Sequence, residues 1–138
     1  MVLLIDANVA IDFLAKREPF NVAARQVISL CAKKKHEGVI SAGAATTIYY
    51  VLRKNVGGEA ALNHIKTILQ YLDIVDTTKA DVQKALVSGM PDFEDAVIAY
   101  SAKRAKADMI ITRNLKDYKD SPVPAMSPED FLKQNINP

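Results

Sequence analysis

Asp6 stands directly behind an apolar run, in Leu4-Ile5-Asp6-Ala7-Asn8-Val9. Asp92, Glu94 and Asp95 crowd into Pro91-Asp92-Phe93-Glu94-Asp95-Ala96, and Asn114 and Asp117 follow a second apolar run, in Thr112-Arg113-Asn114-Leu115-Lys116-Asp117-Tyr118. Each has an ordinary explanation. Asp6 is placed to cap a helix, a task that Asn8 can also take, and Asp92 looks like a cap itself. Glu94 in a first turn is favoured by the helix dipole, and Asn114 suits an Asx turn. Asp95 is harder to dismiss, because it opens the small apolar run Asp95-Ala96-Val97-Ile98-Ala99-Tyr100-Ser101-Ala102, fit to pack closely on a sheet. If the fold gathers these carboxylates, a pair ~4 Å apart repels by about 4 kcal/mol at an effective dielectric near 20, so protons or a cation must neutralise them. Oxygen-only ligands suit Mg²⁺ or Mn²⁺, whereas zinc would call for a Cys/His spacing that is missing here. His36 and His64 are isolated and read as surface residues. A carboxylate-held Mg²⁺ activates water and steadies charge on a phosphoryl oxygen, which points to phosphodiester hydrolysis as the reaction class.

The elements that must position these groups alternate along the chain. Val2-Leu3-Leu4-Ile5 has the continuous apolar character of a strand buried on both faces, Val39-Ile40-Ser41 and Ile74-Val75 read as further strands, and Met109-Ile110-Ile111-Thr112 is the clearest late one. Residues 123–126 form a weak edge strand. Helical spacing fills the intervals 8–16, 21–35, 44–54, 59–71, 78–87 and 92–107, and Ser127-Pro128-Glu129 opens a terminal helix with proline in its first turn. Gly57-Gly58 and Gly89-Met90-Pro91 break the chain between helices. Strands separated by helices imply parallel pairing through right-handed crossovers, hence a three-layer α/β/α sandwich with a central parallel sheet of about four or five strands. Ligands of such folds collect at the carboxyl ends of the strands. That rule selects the residues just after Ile5 and just after Ile111.

Length and composition agree with a single domain spanning residues 1–138, for no repeat, linker or low-complexity stretch divides the chain. The chain is 49% apolar, with a mean hydropathy of 0.00, which is a globular profile rather than a disordered or membrane-embedded one. No apolar run approaches the roughly 18 residues of a spanning helix, and the expectation is a cytoplasmic protein without membrane contact. The single cysteine, Cys31, cannot form an internal disulfide and lies in a helical apolar pattern, so it reads as a buried structural thiol. A net charge of +2 permits a nucleic-acid partner without requiring one. The basic clusters Lys33-Lys34-Lys35 and Arg53-Lys54 equally suit helix C-termini.

Taken in order, Leu4-Ile5-Asp6-Ala7-Asn8-Val9, Ile40-Ser41 leading into Ile48-Tyr49-Tyr50-Val51-Leu52-Arg53-Lys54, Asp92-Phe93-Glu94-Asp95-Ala96, and Ile111-Thr112-Arg113-Asn114-Leu115-Lys116-Asp117-Tyr118 resemble PIN-domain proteins over nearly the whole chain. The resemblance implies a Mg²⁺- or Mn²⁺-dependent endoribonuclease, among whose relatives are VapC-type toxins that pair with an antitoxin protein and commonly form homodimers. It implies that Asp6, Asp95 and Asp117 hold the metal, with Thr112, Asn114 and Asn8 supporting them. Thr47 stands where many members carry a glutamate, and Glu94 is the residue expected to compensate by leaning toward the metal. Arg113, Lys116, Arg53 and Lys54 are the candidate contacts to RNA phosphates.

Two other function classes stay open. One is a degenerate PIN domain that binds RNA or a protein partner without cutting, for which Thr47 is the chief support. The other is a phosphoacceptor switch built on Asp6, which wants a second aspartate where Asn8 stands. A dinucleotide-binding enzyme is disfavoured, because no Gly-x-Gly-x-x-Gly follows the first strand.

Overall fold

Four successive apolar residues need cover on both faces, and Val2–Ile5 obtains it as β1, the middle strand of a five-stranded sheet. The computed structural model describes residues 1–136. After β1 come α1 (Ala7–Leu14), α2 (Asn21–Ala32), β2 (Glu37–Ser41), α3 (Ala42–Val56), α4 (Gly58–Ile68), β3 (Asp73–Val75), α5 (Lys79–Leu86), α6 (Phe93–Arg104), β4 (Met109–Ile111), β5 (Ala125–Met126) and α7 (Pro128–Ile136). Spatial order is β3-β2-β1-β4-β5, and every described pairing is parallel.

Alternation along the strands divides the core in two. Leu3 and Ile5 of β1, with Ile40 and Ile111, face a cluster built by α1, α2, α3, α4 and α7, including Val9, Val27, Ile48, Ile68 and Phe131. Leu4, Val39 and Ile110 point the other way, onto Ile98, Ala99 and Ala102 of α6. The small residues of α6 let its backbone lie close to the sheet. This is the three-layer α/β/α sandwich that the pattern of strands and helices implies, with the sheet at the upper end of the expected strand count.

Helices α1, α2 and α6 stop earlier than their apolar spacing predicts, and the reason is common to these three. The chain turns left-handed just beyond each, at Lys16 (φ 54°), Lys34 (φ 59°) and Lys106 (φ 61°). Glycine is the usual residue at such a terminus, so no local signal marks these ends. Gly38 of β2 does answer a steric demand: a Cβ there would lie 2.4 Å from Leu72 Cδ2 and 2.7 Å from Cys31 Sγ. The Cys31 thiol is buried, and burial pushes its pKa up to about 11, so it stays protonated and inert, as expected of a structural cysteine.

Candidate metal centre

The chain enters the sheet at β1 and builds outward through β2 and β3, then returns to the other side of β1 with β4. The order therefore reverses between β1 and β4, and a crevice opens outside their carboxyl ends. Asp6 follows β1 and Thr112 follows β4, side by side, joined by the Asp6 N–H donating to Ile111 O at 3.0 Å. The N-terminus of α6 supplies Asp92 and Asp95 to the same place, and the single 3-10 turn Leu115–Tyr118 supplies Asp117 and Tyr118.

Oxygen atoms of Asp92, Asp95 and Asp117 all lie within 4.8 Å of one another. Asp6 stands outside that triad and is tied to it by one hydroxyl. Tyr118 Oη donates toward Asp6 Oδ2 at 3.1 Å and lies 3.4 Å from Asp95 Oδ1. Asp6 Oδ2 also accepts from Thr112 Oγ1 at 2.9 Å and from Asn8 Nδ2 at 3.4 Å, while its Oδ1 takes the Ala7 N–H at 2.8 Å. Asn114 Nδ2 bridges the other side, donating to Asp117 Oδ2 at 2.5 Å and to Asp95 Oδ2 at 3.4 Å. Asn8 and Thr112 are linked to each other at 3.2 Å, and the Asn114 N–H donates to Thr112 Oγ1 at 3.0 Å. Asp6 itself caps α1, so the cap does not fall to Asn8, which instead accepts the Arg113 N–H at 3.2 Å.

These carboxylates are held in an unfavourable place. Burial raises the Asp6 pKa, and the bonds from Thr112, Ala7 and Tyr118 do not offset it. Burial first, then the charges of Asp6, Asp92 and Asp117, lift Asp95 to about 7. The buried Tyr118 hydroxyl is raised well above its ordinary value by burial and by Asp6 and Asp95, so it remains a donor. A centre that penalises its own ionised form, with donors of oxygen only, fits a hard divalent cation: Asp92, Asp95 and Asp117 are spaced to hold one, with Asp6 beside them. Sequence reasoning treated Asp92 only as a cap. It is that, accepting the Asp95 N–H at 2.9 Å, and it is also one of the gathered acids. Tyr118 was missed: a buried tyrosine hydroxyl needs a partner, but the two acids that it meets, Asp6 and Asp95, stand in other motifs.

The remaining candidates separate. Glu94 is not among the gathered acids. It is exposed and lines a neighbouring cavity together with Thr47. Thr47 Oγ1 donates to Gly43 O at 3.3 Å within its own helix. Arg53 and Lys54 occupy the last turn of α3, roughly 17 Å along the helix from its start at the rim. Arg53 lies against the Tyr49 and Tyr50 rings there. Lys116 is exposed on the 3-10 turn, next to Asp117.

Arg113 has another occupation than phosphate. Its guanidinium pairs with the buried Asp12 of α1, at 2.6 Å from Nε and 3.1 Å from Nη2, and lies 3.9 Å from the centre of the Phe20 ring. The pair fastens the loop after β4 to α1, and so holds Thr112 against Asp6. Breaking it leaves a part-buried charge unmatched. Asp12→Ala is expected to lower the unfolding free energy by about 3 kcal/mol, read from urea denaturation. A loss under about 1 kcal/mol would contradict this account of the pair.

An α/β/α sandwich with an acidic centre at its topological switch point is the class of protein that the fold and site define. Residues 2–116 match the PIN domain, and the chain belongs to that family. A relative, Ribonuclease VapC1 of Aquifex aeolicus (strain VF5), is 27% identical over 136 residues, covering 96% of this chain and 94% of that protein. Among solved structures, VapBC2 from Rickettsia felis, bound to a DNA fragment from its promoter, superposes with a TM-score of 0.74 at 18% identity, covering 92% of this chain and 98% of that one. The Sarcin-Ricin loop cleaving toxin VapC20 of Mycobacterium tuberculosis gives a TM-score of 0.63 at 15% identity, covering 78% and 86%. No helix among the described residues is long and apolar enough to cross a membrane.

Proposed function

We propose that the chain is a Mg²⁺- or Mn²⁺-dependent endoribonuclease that hydrolyses phosphodiester bonds of single-stranded or looped RNA, where backbone and bases are accessible. The observation that carries this reading is the meeting of Asp92, Asp95 and Asp117, with Asp6 one hydroxyl away, at the switch point of the sheet. A cation held there supplies a Lewis acid that offsets charge on a phosphoryl oxygen and makes water acidic enough to attack near neutral pH. The chain's own groups do the rest. Asp92, Asp95, Asp117 and Asp6 hold the cation; Thr112, Asn8 and Asn114 fix the carboxylate orientations through their hydrogen bonds; Lys116 offers a charge to a neighbouring phosphate.

The rival reading, a PIN domain that binds RNA or a protein without cutting, draws on Thr47. Asp92 weakens it, because it brings a further carboxylate to the centre that lacks a glutamate at 47. The likeness to Ribonuclease VapC1 also supports a cutting enzyme and, as a further step, a toxin paired with an antitoxin protein. A homodimer and a cytoplasmic site of action go with that step. Incubation with structured and unstructured RNA is expected to give internal cleavage with Mg²⁺ or Mn²⁺ and none with chelator. Intact RNA under every metal condition, with RNA still bound, would favour the non-cutting domain.

A further inference from the structure

Beside the acidic centre lies a cavity of about 450 Å³, lined by Ser41, Thr47, Thr77, Phe93, Glu94 and Val97 among others. We propose that it receives one unpaired nucleobase of the RNA strand being cut, stacked on Phe93, with Glu94 favouring guanine. This deepens the nuclease reading and rests on it.

Placement comes first. Ser41 ends β2 and Thr77 follows β3, so the cavity continues the rim that carries Asp6 and Thr112. The first turns of α6 are shared between the two sites: Asp92 and Asp95 go to the carboxylate centre, while Phe93, Glu94 and Val97 line the cavity. One helical turn spans ~5 Å, so a phosphate at the acids leaves an adjoining base within reach of the cavity.

Chemistry selects the occupant. Phe93 is 51% exposed and has no ring partner among the described residues. Beside it, Val82, Val97 and Ile98 form apolar walls, and the hydroxyls of Ser41, Thr47 and Thr77 add a polar edge. A flat object with apolar faces and a hydrogen-bonding edge fits this lining. The volume lies in the ordinary range for small-ligand pockets. Glu94 next to an already acidic centre repels phosphate and acidic peptide alike, which leaves the neutral base as the part of the strand that enters. A carboxylate only accepts hydrogen bonds. Guanine answers it with two adjacent donors, its N1–H and its exocyclic amine, where uracil has one N–H and no amine.

Base-on-aromatic stacking sets the expected size of the effect. Phe93→Ala should lower kcat/KM on single-stranded RNA about 10-fold or more, through KM rather than kcat, and Phe93→Tyr should restore it. Mapped cleavage ends from an unstructured RNA pool should show guanine enriched at one position flanking the cut for the wild type, and Glu94→Gln should erase that preference. Fluorescence anisotropy of a labelled single-stranded RNA on the non-cutting Asp95→Asn background should show the same loss with Phe93→Ala. Cleavage intact in all variants with unchanged base preference would overturn the base site and leave the nuclease standing. Loss of binding to a co-expressed protein partner with RNA kinetics unchanged would overturn it too, assigning the cavity to protein. If the wild type cuts no RNA, the nuclease reading falls. A tenfold anisotropy loss in Phe93→Ala would then keep the cavity as an RNA site, and unchanged binding would remove both.

Discussion

Asp95→Asn is expected to abolish metal-dependent RNA cleavage, by roughly 10³-fold or more, while the protein stays folded. Asp95 is 8% exposed and sits where three acids converge on it. Asparagine keeps the shape and one acceptor oxygen, so the hydrogen bond from Asn114 and the packing of α6 survive. What is lost is charge, on the residue with the most acidic neighbours. A cation at the centre would be held by the charges of the gathered aspartates Asp92, Asp95 and Asp117, among which Asp95 is the most buried, and no described histidine or cysteine joins their group. The same change at Asp6 should be nearly as severe, although Asp6 lies outside the closest triad, because Tyr118 and Thr112 aim its Oδ2 toward the centre. The check is single-turnover cleavage at saturating Mg²⁺ beside circular dichroism of each variant. Cleavage within threefold of wild type in both variants would remove these carboxylates from the mechanism.

The sheet was legible because its strands are short, apolar and set between breakers. Val2–Ile5 and Met109–Ile111 have almost no other reading, and the rule that ligands gather at strand ends then pointed to Asp6 and Thr112. Helix ends were less legible, since Lys16, Lys34 and Lys106 adopt a conformation that their side chains do not announce. The site was half legible for a related reason. A carboxylate that caps a helix and a carboxylate that helps hold an ion have the same sequence signature, and Asp92 is both. The pairing of Arg113 was not legible, because its partner, Asp12, is 101 residues away in sequence and nothing local links them. The surroundings of Glu94 were not legible, because helix position alone does not tell which side of α6 faces the acids and which faces the cavity. Charged residues in a motif reveal that chemistry is near; their partners come only from the fold.

The second large effect is on stability, and its sign follows from Asp95. Its pKa is about 7 in the folded protein against 3.8 for a free aspartate. Between those values the folded chain holds a proton that the unfolded chain has released, so stability falls as pH rises through this window, and the loss is complete above about 7. Asp6, raised by burial, acts in the same direction. Metal-free protein should therefore melt lower at pH 8 than at pH 5, relative to Asp95→Asn, which has no such proton to lose. A differential of about 2 kcal/mol corresponds to a Tm gap on the order of 8 °C for a domain of this size. A divalent cation binds the ionised centre, so it reverses the penalty only where the acids are ionised. Mg²⁺ at about 100 times its Kd adds about 2.7 kcal/mol, and that gain belongs at pH 8 and should shrink toward pH 5. Differential scanning calorimetry of both proteins, at both pH values, with Mg²⁺ and with chelator, reads all eight combinations. A wild-type-to-variant gap that does not change with pH would remove the raised pKa of Asp95, and equal Mg²⁺ stabilisation at pH 5 and pH 8 would mean that these acids are not the ion's ligands.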